Sequence, residues 1–256
     1  MKDLLLLHGA LGSLHQFDEL KKELSNSYKT HAINFSGHGR APSLAHAFTI
    51  QNFAHEVLQW MNTHYLEKVD IFGYSMGGYV ALWLARFYPD RVGKIYTLGT
   101  KLNWNEVEVE KEIKMLQPEK VELKVPAFAQ ALAQLHGEHE WKSLMSKTAL
   151  LMKDLGHHHL EDQDFVKIKQ PIILARGERD SMVTREETEY TQRLLPNAVY
   201  KELEGVEHPL DKVPTSLVVE EINLSSKLFT GFSELFAKRF GVFQIFDNVF
   251  GYRIFI

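Results

Sequence analysis

Val69-Asp70-Ile71-Phe72-Gly73-Tyr74-Ser75-Met76-Gly77-Gly78-Tyr79-Val80 is the stretch that decides the fold. Its first half, Val69 to Tyr74, reads as a short buried strand. From Met76 the spacing changes: Met76, Val80, Leu84 and Phe87 recur at helical intervals until Pro89 ends them. Between the two lies Gly73-Tyr74-Ser75-Met76-Gly77, a G-x-S-x-G in the strand–turn–helix setting such a motif requires. The glycines permit a turn tight enough to hold Ser75 strained and exposed at the strand tip. Its hydroxyl then lies by the helix N-terminus, where backbone N–H groups are unpaired and the dipole favours negative charge. A short pattern with three fixed positions recurs by chance, and a purely structural glycine turn reads the same way. The strand before it and the helix after it favour the chemical reading.

Outward from this stretch, apolar runs alternate with helical patterns. Leu4 to Leu7 predicts a buried parallel strand, followed by a capping signature at Ser13 to Gln16 and a helix carrying Phe17, Leu20 and Leu24. Thr30 to Phe35 reads as the second strand, and about Thr49 to Tyr65 as a helix. Lys94 to Leu98 is the fourth strand. The rhythm then breaks: Asn103 to about Lys167 reads as several helices, interrupted near Pro118, Pro126 and Gly137. It resumes with a strand at Pro171 to Ala175, a helix capped by Thr184 and Glu187, and a strand at Ala198 to Leu203. A helix carrying Leu210, Val213, Leu217 and Ile222 follows. Such alternation predicts an α/β fold with a mostly parallel sheet flanked by helices. The helical insert belongs on top of it, because strand-end loops tolerate insertions and carry function.

A nucleophilic serine needs a base, and the base needs an orienting carboxylate. Asp180, just past the fifth strand in Gly177-Glu178-Arg179-Asp180, supplies the carboxylate, with Glu178 as its neighbouring rival. His208, just past the sixth strand in Glu207-His208-Pro209, supplies the base. Either alone reads equally well as an ordinary loop residue. Together they fall on the sheet edge that carries Ser75. The turn His8-Gly9-Ala10-Leu11-Gly12-Ser13 follows the first strand, so the backbone N–H groups of Ala10 and Met76 are the candidates for an oxyanion hole.

These segments resemble the α/β-hydrolase superfamily. Leu7-His8-Gly9, Gly37-His38-Gly39, Gly73-Tyr74-Ser75-Met76-Gly77-Gly78, Pro89-Asp90-Arg91-Val92, Gly177-Glu178-Arg179-Asp180 and His208-Pro209 match its signposts in order. The resemblance runs from about Lys2 to Leu224. It implies Ser75 as nucleophile, His208 as general base and then acid, and Asp180 as orienting acid. It also implies a core of residues 1–102 and 168–224 and a helical cap at 103–167. The chain opens directly on the His-Gly strand, so a shortened N-terminal sheet edge is expected. Within the superfamily, the His-Gly-x-Leu-Gly-Ser start resembles the carbon–carbon lyases of menaquinone synthesis. Those carry an arginine where Tyr79 stands, which speaks against their chemistry. The expected activity is cleavage of a small-molecule carboxylic ester or thioester through an acyl-enzyme. Carbon–carbon hydrolysis or lysis, and a non-catalytic ligand-binding role, are the alternatives.

Composition excludes other classes. The 256 residues include 29 Lys plus Arg and 33 Asp plus Glu, a net charge of −4, which gives no electrostatic footprint for nucleic acid. Cys is 0, so disulfides, thiolate metal sites and a cysteine nucleophile are excluded. No metal or organic cofactor is expected. His157-His158-His159 reads as a loop leaving an insert helix, and Glu106, Glu108 and Glu110 as a solvated face. Trp104, Phe128, Trp141, Met145 and Met152 read equally as an acyl pocket or as the insert's own core. No export signal or membrane span is evident, and a cytoplasmic protein is expected. Residues 225–256 form a Phe-rich extension holding half of the chain's 16 phenylalanines. It reads first as a cover for the open sheet edge, with a homodimer contact or membrane-surface attachment as alternatives.

Overall fold

The computed structural model describes residues 1–224; the Phe-rich extension at 225–256 lies outside the described residues. Six strands form one parallel sheet: β1 (Lys2–Leu7), β2 (Tyr28–Ile33), β3 (Val69–Tyr74), β4 (Val92–Leu98), β5 (Ile172–Gly177) and β6 (Ala198–Leu203). Their order is β2-β1-β3-β4-β5-β6, so among the described residues β2 and β6 are the edges. Each central strand is apolar on both sides, as a parallel sheet covered by helices demands. Alternate residues of β1 show it: Leu5 and Leu7 enter one core with Ile71, Ile95 and Leu174. Leu4 and Leu6 enter the other with Phe72, Tyr96 and Ile173.

The helices α2 (Ile50–Thr63), α3 (Met76–Phe87) and α9 (Arg185–Leu194) accompany the first core. Helix α1 (Asp18–Leu24) and a helix at 215–224 cover the other face through Leu20, Leu24, Val218 and Ile222. Between β4 and β5 come α4 (Glu106–Met115), α5 (Pro118–Lys124), α6 (Pro126–His136), α7 (Glu140–His158) and the short α8 (Asp162–Phe165). Pro118 and Pro126 each occupy the first turn of their helix, where the missing N–H costs nothing. Gly137 closes α6 at φ 118.

Three local expectations need correction. Ser13 caps a single 3₁₀ turn, Leu14–Phe17, before α1 begins, because its hydroxyl accepts from the His15 N–H. His157 and His158 are helical, not a loop. Gly156 does not break α7; it lets α4 approach, since a Cβ there would lie 3.1 Å from Val109 Cγ2. The segment from Leu210 is a 3₁₀ turn, Leu210–Lys212, and the helix starts only after Pro214, whose ring bars a continuous run.

The strand order places a switch point at β1 and β3. From β1 the chain moves outward through α1 to β2. From β3 it moves the opposite way through α3, on the other face. The loops after these two adjacent strands therefore diverge and leave a crevice at the C-terminal sheet edge, where open α/β sheets bind ligands.

Candidate active site

Ser75 sits in that crevice at φ 50, ψ −118, a backbone conformation that a residue with a Cβ rarely adopts. The surroundings over-determine it. Its N–H donates to the Leu98 carbonyl at 2.8 Å. Its own carbonyl accepts from Gly78 N–H at 3.0 Å and Thr100 Oγ1 at 3.0 Å. Gly77 is obligatory: a Cβ there would lie 2.1 Å from the Leu7 carbonyl oxygen. Helix α3 thus packs directly on the end of β1, which holds the serine at the helix N-terminus.

The structure brings Asp180 and His208 together. His208 Nδ1 donates to Asp180 Oδ2 at 2.8 Å, leaving Nε2 as the ring atom available for proton transfer. Asp180 is buried, and its Oδ1 accepts from the Met182 and Val183 N–H groups at 2.8 and 2.9 Å. Burial opposes its ionisation. The His208 hydrogen bond and charge and the two backbone donors outweigh burial, so its carboxyl lies below the usual carboxylate range. Glu178, the rival acid, accepts from Gly205 N–H at 2.8 Å and so belongs to the turn after β6. Arg176 was not singled out in the sequence, although an arginine inside the apolar run Ile172–Gly177 is the signal for it. Its guanidinium donates to the carbonyls of Asp180 at 3.0 Å and Val183 at 2.7 Å, which fixes the acid's loop.

Ser75, His208, Ala10 and Met76 line one cavity of about 330 Å³. Met76 is the first residue of α3, so its N–H has no acceptor within the helix. The turn bearing Ala10 approaches the serine closely; a Cβ on Gly9 would lie 3.1 Å from Ser75 Cβ. That turn is held from beneath and from above. The buried His8 ring accepts from Phe35 N–H through Nε2 at 3.2 Å and contacts the Gly9 carbonyl through Nδ1 at 2.8 Å. This fixes the proton on Nδ1, and burial pushes the ring's pKa down to about 4. From above, His136 of α6 donates through Nε2 to the Leu11 carbonyl at 2.9 Å and accepts Gly39 N–H through Nδ1 at 2.9 Å. No local pattern marks His136 for this role, because its two partners lie about a hundred residues away in the chain.

Four of the five aromatic and methionine candidates in the insert, Trp104, Phe128, Met145 and Met152, line this cavity. Trp141 instead packs with Ala129, Leu132 and Met145 inside the insert. The expected solvated acidic face is also only partly so. Glu108 pairs with Lys101, a buried lysine just past β4, and Glu112 is buried beside it. His158 pairs with Asp154 one turn earlier, and among the described residues no group of three or more ligand-type side chains converges. Likewise among them, no helix is long and apolar enough to cross a membrane.

A family profile of the alpha/beta hydrolase fold matches residues 3–153, and the chain belongs to that family. The chain is 38% identical over 92 residues to a pimeloyl-[acyl-carrier protein] methyl ester esterase of Neisseria meningitidis serogroup C, a match covering 36% of this chain and 34% of that protein. The chain therefore covers about a third of the length of the curated relatives it matches. Among solved structures, NosK from Streptomyces actuosus superposes with a TM-score of 0.75 at 19% identity, covering 89% of this chain and 98% of that one. A thermophilic esterase from Thermogutta terrifontis gives 0.69 at 17% identity, covering 91% and 90%. At these identities the structural likeness shows the fold.

Proposed function

We propose that this protein is a serine hydrolase that cleaves a small-molecule carboxylic ester or thioester, with Ser75, His208 and Asp180 as its triad. The observation that carries this reading is a strained serine at a helix N-terminus sharing one cavity with a histidine already oriented by a buried carboxylate. Ser75 Oγ attacks the carbonyl carbon while His208 Nε2 takes the hydroxyl proton. The N–H groups of Ala10 and Met76 hold the oxyanion. Collapse expels the alcohol or thiol, which takes the proton from His208. Water, deprotonated by His208 in turn, then attacks the acyl-enzyme, and the acid leaves with Ser75 restored. Residues 1–102 and 168–224 act as the core, and 103–167 as a cap whose apolar side chains shape the acyl pocket.

Tyr79 supports ester chemistry over the carbon–carbon alternative. It is buried, and its hydroxyl accepts the Leu160 N–H at 2.7 Å, so no cation stands there for a carboxylate-rich substrate. A fluorophosphonate probe should label Ser75 and no other serine, and the protein should turn over short acyl esters. Labelling that persists in Ser75→Ala, or turnover of a diketone without any ester, would reject the assignment.

A further inference from the structure

The cavity beside Ser75 is mostly apolar and adaptable. Five of the chain's 7 methionines, Met76, Met115, Met145, Met152 and Met182, line it. Into this lining one buried carboxylate intrudes. Glu112, on α4, lines the same cavity and is 5% exposed. Its Oε1 accepts no hydrogen bond. Lys101 Nζ lies 3.7 Å away, beyond hydrogen-bond reach, and is already engaged by Glu108 and by the Met182 carbonyl at 3.1 Å. Trp104 lines the same cavity with part of its ring, and its buried Nε1–H also has no acceptor. Buried polar atoms without partners are rare because each forfeits its hydration, and a carboxylate oxygen among them at a ligand cavity points to a ligand that completes it.

We infer that Glu112 selects substrates whose non-reacting end carries a hydrogen-bond donor: a hydroxyl, an amide N–H or an ammonium. This rests on the reading of Ser75 as the nucleophile. A hydroxyl or amide brings the donor that the Glu112 carboxylate lacks. The charges lining the cavity refine the choice. Lys101 faces two carboxylates of its own cluster, Glu108 and Glu112, and Asp211 also lines the cavity. An ammonium end is therefore tolerated and a carboxylate end repelled. Burial, the strongest influence, holds the Glu112 carboxyl above the usual carboxylate range against the pull of Lys101 and His208. An ionised Glu112 thus gains from any donor that meets it.

The test is binding to full-length Ser75→Ala, followed by calorimetric titration. The ligands are methyl esters of one unbranched acid ending in methyl, hydroxyl, ammonium or carboxylate. The hydroxyl- and ammonium-ended esters should bind about tenfold tighter than the methyl-ended one, the worth of one hydrogen bond to a charged acceptor, and the carboxylate-ended ester weakest. Adding Glu112→Gln keeps an acceptor oxygen but removes the charge, so the hydroxyl preference should remain and the ammonium preference vanish. Adding Glu112→Leu should erase both. If the leucine variant does not fold, the glutamine variant alone separates the two preferences. Failure of the donor-ended esters to bind, equal binding of methyl and hydroxyl ends, or an order unchanged by both substitutions overturns the inference. Turnover plays no part in this measurement, so its outcome is distinguishable from failure of the hydrolase reading, which Ser75 labelling reports.

Discussion

At the scale of single residues, the site depends on what each side chain is denied. Asp180 is denied water but given two backbone N–H groups and an imidazole, so it stays an anion that orients His208. Asp180→Asn keeps the size and much of the hydrogen bonding but presents the wrong partner to Nδ1, and the ring is held in the unproductive tautomer. The rate should fall by about 10⁴-fold with the fold intact, measured as kcat/KM on a short acyl ester beside a thermal melt. Glu178→Gln, which touches only the Gly205 turn, should leave the rate within a few-fold; a loss as deep as that of Asp180→Asn would reassign the acid. Asp180 and His208 were legible because each lies shortly past the C-terminal end of a strand, where the sheet edge gathers them. Glu112 was not. It sits in Glu106-Val107-Glu108-Val109-Glu110-Lys111-Glu112, and nothing in that acidic run marks which carboxylate faces inward.

At the scale of elements, α6 reaches the chemistry through one ring. His136 closes that helix and ties the Leu11 carbonyl, whose residue sits at φ 56, to the Gly39 N–H of a second loop. Without it the Ala10 N–H has nothing above to hold its direction. His136→Ala should lower kcat and kcat/KM together, by between about 10- and 100-fold, with KM little changed, because the interaction lost belongs to the transition state. His136→Gln, which offers a donor and an acceptor on similar reach, should recover part of it. A rise in KM alone would show that His136 shapes substrate binding and not the oxyanion turn. The helices themselves were legible where the chain carries punctuation. Pro118, Pro126 and Gly137 mark real boundaries, and the Thr184–Glu187 box is present with both of its hydrogen bonds. Reading failed where one residue type serves two ends. Gly156 signals a break in sequence, yet in α7 it is a contact surface for Val109. Which helix of the insert touches which loop is set by tertiary packing, and no local pattern encodes it.

At the scale of the whole molecule, three buried histidines join parts far apart in the chain: His8 after β1, His38 in the loop beyond β2, and His136 on the insert. Their rings lie close, His38 being 4.9 Å from His8 and 6.0 Å from His136 between centroids. Burial lowers all three pKa values, His8 to about 4, and each would repel a charged neighbour. A histidine held below its ordinary value binds fewer protons folded than unfolded. The stability it contributes is therefore complete above about pH 6.5 and is lost as pH falls toward 4. For His8 alone that loss is about 3 kcal/mol. Glu56 and Glu112, raised by burial, act in the opposite sense, two carboxylates against three imidazoles. Asp180, held low, contributes only further down the scale. The urea midpoint should accordingly drop steeply between pH 7 and pH 5. His38→Phe isolates the cause. The ring packs against Phe48 and Phe53, its Nε2 has no partner, and its Nδ1 meets the Ser36 carbonyl at 3.1 Å, so phenylalanine keeps the aromatic contacts and removes a proton site for the loss of one hydrogen bond. That variant should match or exceed the parent at pH 5 and show a shallower dependence on pH. A midpoint that falls as steeply in His38→Phe as in the parent would place the acid sensitivity elsewhere than in this cluster.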